Sequence, residues 1–259
     1  ILRYDYSTPN GAIIALQNPN LAVRRHAWLA LQEMGKKAVP ELEKLWRKAS
    51  NPRMRARAFW VLVKMPNGKK YINEAIKDPN PDIRITGIRA ARQLKLDLIP
   101  LVKKLAADQD PQVRRESILA LRHNKSPEAA ELWARLANQY DGNDRWYLEA
   151  LGIAADRQWD SFFEAYLQIN KNPLLKPAGR DIIWRARTEK SLPFLAKLAT
   201  DNQNDLKSRL RYFRAFDFQT GTEKSKILVK FMTYRFQIVL EQVRLFIWPL
   251  IISLIEENC

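Results

Sequence analysis

A pattern of proline, a short gap, an apolar residue, arginine and then a helical apolar run occurs four times: NPNLAVRRHAWLAL (18–31), NPRMRARAFWVL (51–62), DPNPDIRITGIRAA (78–91) and DPQVRRESILAL (110–121). Aligned on Arg24, Arg55, Arg84 and Arg114, the copies lie 31, 29 and 30 residues apart. A period this short limits the fold more than any other feature. One unit cannot bury an apolar face alone, so successive units must stack. A fifth, weaker copy, DGNDRWYLEAL (141–151), continues the series, with Leu148 and Leu151 expected where Ile118 and Leu121 stand.

Between these copies a second string recurs: PELEKL (40–45), PLVKKL (100–105) and PFLAKL (193–198). Each has a proline near a helix start and apolar residues at helical spacing. One unit therefore reads as a first helix, a tight turn carrying Asn or Asp with Pro, and a second helix. The Asn or Asp side chain caps orphan amides, and proline near the first helical position lacks the amide that would go unpaired. In the second helices the apolar residues fall on one face, as in Val23, Ala27, Trp28 and Leu31, and again in Val113, Ser117, Ile118 and Leu121. The expectation is an all-α solenoid, a superhelix of about eight helix pairs of roughly 30 residues. It would form one continuous domain. Residues 1–155 are regular, 156–230 diverge with longer loops such as NKNPLLKP (170–177), and 231–259 form a capping helix or a non-native tail.

The D-P-x-V-R run and the unit length resemble the short bacterial HEAT-like repeats also found in phycobilisome lyases. That resemblance implies that Asp78 with Arg84, and Asp110 with Arg114, are ladder elements bridging adjacent repeats at the turns. At Asn18 and Asn51 the acid is replaced, which leaves capping but removes the ion pair. A narrower resemblance rests on LRHNKSPEA (121–129), DRWYLEALGIAAD (144–156), QWDSFF (158–163) and RYFRAFDF (211–218). These strings are similar to the HEAT segment of large multidomain proteins of planctomycete-type bacteria. There a sugar-dehydrogenase-like β-propeller precedes the segment and a cytochrome c domain with CxxCH follows. The resemblance implies an extracytoplasmic, periplasmic setting and a parent protein that is a dehydrogenase. This chain has neither CxxCH nor propeller repeats, so no cofactor is expected in it.

Charge bears on partners. The net charge is +16, with 25 Lys and Arg against 11 Asp and Glu in residues 1–125 and 19 against 17 in the rest. A basic first half points to an acidic or polyanionic partner. In HEAT-type solenoids the second helices line the concave face. The rows that this phasing puts there carry Arg25, Arg57, Arg89, Arg92, Arg115, Arg122 and Arg145, with Trp60 and Trp146 outside the core stripe. Arginines interleaved with exposed aromatics suit acidic peptide, phosphate or stacked rings. The favoured function is a non-catalytic scaffold, monomeric, that docks a protein there: a neighbouring domain or an acidic partner. The alternative is nucleic-acid binding on a basic concave surface, by analogy with HEAT-like DNA glycosylases.

Candidates for chemistry are few. His26 and His123 are the only histidines and sit three repeats apart, too distant for a shared metal or general-base pair. Glu41/Glu43 and Glu256/Glu257 lack an apolar pocket to split their pKa values, and the serine of RESIL falls at a core position. The lone cysteine, Cys259, excludes an internal disulfide and a multi-cysteine metal site. No catalytic or metal-binding residue is expected. The chain opens on Ile-Leu-Arg-Tyr, which reads as a cut-out or mature piece. In 231–259 the longest uninterrupted apolar stretch, Leu245–Ile252, is too short to span a bilayer.

Overall fold

The computed structural model describes residues 3–231, which are helical with connecting turns. Contacts divide the chain into two compact units, residues 1–140 with 144–158, and residues 141–143 with 159 onward. The expectation for 231–259 lies, apart from Phe231, outside the described residues.

The first unit holds five helix pairs. First helices are α1 (Pro9–Leu16), α3 (Val39–Lys48), α5 (Lys69–Ala75), α7 (Ile99–Leu105) and α9 (Glu128–Ala137). Their partners are α2 (Leu21–Met34), α4 (Pro52–Leu62), α6 (Pro81–Gln93), α8 (Pro111–Ala120) and α10 (Arg145–Ala154). The second unit has α11 (Trp159–Ile169), α12 (Pro177–Arg185), α13 (Leu192–Thr200) and α14 (Leu206–Arg214), and residues 222–231 are also helical.

Turn chemistry sets the second helices. Asn20, Asn51, Asn80, Asp110 and Asp144 each sit in extended conformation at the N-cap and accept a hydrogen bond from an amide two residues on. Pro52, Pro81 and Pro111 follow directly at the first helical position. Pro40, Pro100 and Pro193 occupy the start of α3, α7 and α13 in the same way. Between α5 and α6 the approach is so close that a Cβ on Gly87 would meet the Ala75 and Ile76 side chains at 3.1 Å.

The caps correct the register of the fifth copy. Counted from Asp110 and Asp144, Tyr147 takes the place of Val113, Gly152 of Ile118 and Ala155 of Leu121. Leu148 falls on the slot of Arg114. All of these but Arg114 are buried. The expected match of Leu148 with Ile118 is four residues out. Because four residues is close to one helical turn, a slip of that size leaves the apolar stripe looking unchanged.

The ladder also differs from expectation in its pairing. Arg84 does not pair with the carboxylate of its own turn. Its Nε and Nη2 donate to both oxygens of Asp108, in the following repeat, at 2.8 Å each, while Nη1 donates to the Asp78 and Pro79 carbonyls at 2.8 and 3.0 Å. Asp78 in turn receives Arg55 from the preceding repeat. Asp110 makes no ladder pair and caps α8. Arg114 donates to the Asp108 and Gln109 carbonyls at 2.7 and 3.0 Å and lies 5.9 Å from the Tyr147 ring centroid. Thus each turn has two distinct positions: the cap itself, Asn or Asp, and a residue two positions earlier, which as Asp78 or Asp108 receives the previous arginine. Asn18 belongs to the earlier position and Asn51 to the cap, so the two are not equivalent.

Candidate functional site

The second helices of the first unit carry eight of the nine residues expected on a binding face, Arg122 lying in the turn just after α8, and the nine side chains fall into three groups. Arg89, Arg92, Arg122 and Arg145 are exposed but engaged. Arg89 donates to Glu116 at 2.8 and 3.0 Å, and Arg92 lies 3.3 Å from the other oxygen of the same carboxylate. Glu116, only 4% exposed on α8, is thus held by two arginines of α6. Arg122 reaches Asp156 at 2.9 Å and, with His123 beside it, holds that carboxyl below the usual carboxylate range. Arg145 pairs with Glu149 one turn along α10 at 3.2 Å.

A second group serves packing. Arg57 donates to the Leu16 and Asn18 carbonyls at 3.1 and 3.3 Å, closing the C-terminal end of α1. Burial, with Arg24 and Arg53 nearby, holds its pKa below the ordinary arginine range. Trp60 is half-buried against the core, its ring edge-on to Phe59 at 6.0 Å. The expectation that Trp60 stands outside the core stripe therefore fails: the indole is large enough to reach back from the stripe's margin.

The third group is Arg25, Arg115 and Trp146, whose side chains make no hydrogen bond or ion pair among the described residues. Trp146 is 70% exposed. It opens a groove of about 290 Å³ together with Arg115 and Leu119 of α8 and Glu149, Ala150 and Ile153 of α10.

Elsewhere Trp46 and Trp133 are in the core. Trp46 is 2% exposed and donates through Nε1 to Glu74 at 3.0 Å, and Trp133 is fully buried. Trp28 is only half-buried, with the Lys64 ammonium 5.0 Å from its ring centroid. Ser117 is buried and bonded to the Val113 carbonyl. His26 is exposed beside Tyr6, and His123 occupies the turn just after α8 rather than the helix itself. Among the described residues no group of three or more His, Cys, Asp or Glu is placed to hold a metal ion, and no helix is long and apolar enough to cross a membrane.

The sequence reading missed a cleft of about 790 Å³ in the second unit, lined by Trp184, Leu206, Lys207, Leu210, Arg211, Arg214 and Phe218. Leu206, Leu210 and Phe213 recur at i, i+4 and i+7 on α14 and stay 69, 53 and 46% exposed. That period is visible in the sequence, but periodicity alone reads such a stripe as core.

Residues 68–152 match the family model for HEAT repeats. The matched stretch takes in α5 to α9 and most of α10, and so includes the Arg84–Asp108 rung and most of the groove. These repeats are HEAT-like, and the helix pairs of the fold agree with that family's architecture. No curated protein gives a match to the sequence.

Proposed function

We propose that this chain is a non-catalytic scaffold of HEAT-like repeats that docks a protein partner on the second-helix face of its first unit. The observation that carries the reading is Trp146, an indole 70% exposed in a largely apolar groove on a face where Arg89, Arg92, Arg122 and Arg145 are salt-bridged. A large aromatic left in water on a rigid stack is a common anchor of protein interfaces. The carboxylates Glu116, Glu149 and Asp156 are interleaved with the arginines of that face and neutralise much of its charge. A phosphate-reading groove needs unneutralised cations in a row, so the basic surplus of residues 1–125 favours nucleic acid less than its size implies.

The same reading makes the chain the HEAT segment of a larger extracytoplasmic, sugar-dehydrogenase-like protein, whose neighbouring domains it would hold at fixed spacing. The support is the strings at 121–129, 144–156, 158–163 and 211–218. A propeller before and CxxCH after, in one reading frame, is the coding context that this requires.

Two measurements test the docking function. A photo-crosslinking residue at position 146 should trap one discrete protein in the cell that makes the chain, and the same residue at Lys44, on a first helix, should trap none. Binding of duplex DNA at about 150 mM salt should be no tighter than the non-specific range of ~10⁻⁴ M. A micromolar DNA complex with a log–log salt slope near −5, removed by alanine at Arg57, Arg89, Arg92, Arg115 and Arg122, would replace the scaffold with a nucleic-acid binder.

A further inference from the structure

Resting on the docking reading, we propose that the groove between α8 and α10 anchors a partner segment through one bulky apolar side chain with a carboxylate beside it. The apolar requirement comes from the walls. Trp146 and Ile153 stand seven residues apart on one face of α10 and remain 70 and 41% exposed, with Leu119 facing them from α8 and Ala150 buried at the base. Burying such a strip takes apolar surface out of water and so favours association with an apolar side chain. At about 290 Å³ the groove falls at the lower edge of the range of small-molecule sites, roughly 300–1,000 Å³, so one or two side chains fill it.

The carboxylate requirement comes from Arg115. Its neighbours Arg89, Arg92, Arg122 and Arg145 each hold a carboxylate of the chain itself, at 2.8, 3.3, 2.9 and 3.2 Å. Arg115 is half-buried at the groove and has no acceptor among the described residues. A guanidinium in that position gains two parallel, charge-assisted hydrogen bonds from an incoming carboxylate. A single such arginine suits one carboxylate, whereas a run of phosphates along the groove would also meet Glu149.

The test uses fluorescein-labelled dodecapeptides on the full chain at about 150 mM salt, with central sequences Leu-Asp-Phe-Asp, Ala-Asp-Ala-Asp and Leu-Lys-Phe-Lys in a Gly-Ser frame. The first should bind at least ten-fold more tightly than either of the others. Trp146→Ala and Arg115→Ala should each weaken it five-fold or more, Arg115→Lys should weaken it less, and Phe218→Ala, at the cleft of the second unit, should leave it unchanged. Melting temperatures of the Trp146 and Arg115 variants should match the parent. Failure of all three peptides, preference for the lysine peptide, or binding indifferent to both groove substitutions overturns the assignment, as does tighter binding of a single-stranded DNA 12-mer that depends on Trp146. Self-association abolished by Trp146→Ala would assign the groove to a second copy instead. If the crosslink at 146 persists while the peptides fail, docking stands and the groove chemistry falls; if both vanish, both readings fall.

Discussion

Leu31, Leu62, Ala91 and Leu121 occupy one place in successive second helices, eleven residues after the cap, and all four are fully buried. A residue so placed plugs the space between its own repeat and the next. Leu121→Ala should therefore cost ~2–5 kcal/mol in chemical denaturation, the range for a leucine removed from a core that closes only partly. A loss under about 0.5 kcal/mol would place Leu121 at the surface and dissolve the repeat phasing. Polar side chains carry the inter-repeat contacts on the first helices. Glu43 of α3 accepts from the Tyr71 hydroxyl at 2.7 Å and the Lys70 ammonium at 3.0 Å, both on α5. The Tyr71 bond, then Lys70, holds the Glu43 carboxyl below the usual carboxylate range. A carboxyl whose pKa falls on folding stabilises the fold above its unfolded value, and that contribution disappears as pH drops through the folded one. Glu43→Gln should accordingly lower the melting temperature at pH 7, and the difference should close below about pH 4, near the ordinary glutamate value. A difference constant from pH 7 to 3 would mean that the carboxylate charge is not what the contact uses. None of this pairing was legible beforehand, since Glu43 and Tyr71 are 28 residues apart and only the stacking of α3 on α5 brings them together.

At the level of the helix, what was legible follows from whether a signal is local. Capping by Asn and Asp, the prolines beside them and the apolar stripe all act within one helix, and the structure reproduces each. The rungs were legible in part: Asp78, Arg84 and Arg114 do make contacts at the turns or to the neighbouring repeat, but the acid that receives Arg84 lies 24 residues on, at Asp108, and Asp110 is a cap. Another regularity lies at the helix ends. The turn after each second helix of the first unit contains one left-handed residue: Gly35, Asn67, Lys95, His123 and Arg157. At Lys95, φ is +54°, and the next amide, of Leu96, donates back to the Ala91 carbonyl at 3.0 Å. This is the ending that favours glycine. A left-handed lysine costs roughly 1–2 kcal/mol, and glycine there gives back about 0.5–1 through its looser unfolded chain. Lys95→Gly should thus stabilise the protein by up to about 1 kcal/mol, whereas Gln93→Gly, at the last residue of α6, where the backbone is right-handed, should give no such gain. Destabilisation by both would show that the left-handed turn does not persist in solution.

Across the first unit, stability should follow the distribution of rungs, since in a linear stack each repeat is held by its intrinsic stability and its contacts with neighbours. Arg55–Asp78 ties α4 to the turn before α6, and Arg84–Asp108 ties α6 to the turn before α8. The pair α5–α6 is therefore joined by a rung on each side. The pair α1–α2 has none, because the slot two residues before the cap Asn51 holds Ala49. Arg24 sits where Arg84 does and, like it, donates through Nη1 to the carbonyls of its own turn, Asn18 at 3.2 Å and Pro19. What it lacks is a carboxylate. Hydrogen exchange should then find the amides of α2 opening at lower free energy than those of α6, by about 1–3 kcal/mol, the worth of a charge-assisted pair that is largely out of water. Ala49→Asp supplies the missing group. Ala49 already has extended backbone (φ −68°, ψ 128°), so an aspartate fits without strain. By analogy with Asp78 and Asp108, which accept from the Asn80 and Asp110 amides at 3.0 Å, it would also accept from the Asn51 amide. The substitution should raise protection in α2 by ~1–2 kcal/mol while leaving α6 unchanged, against the usual tendency of single substitutions to destabilise. If α2 instead exchanges as fast as before, the rungs accompany the stacking of these repeats and do not stabilise it.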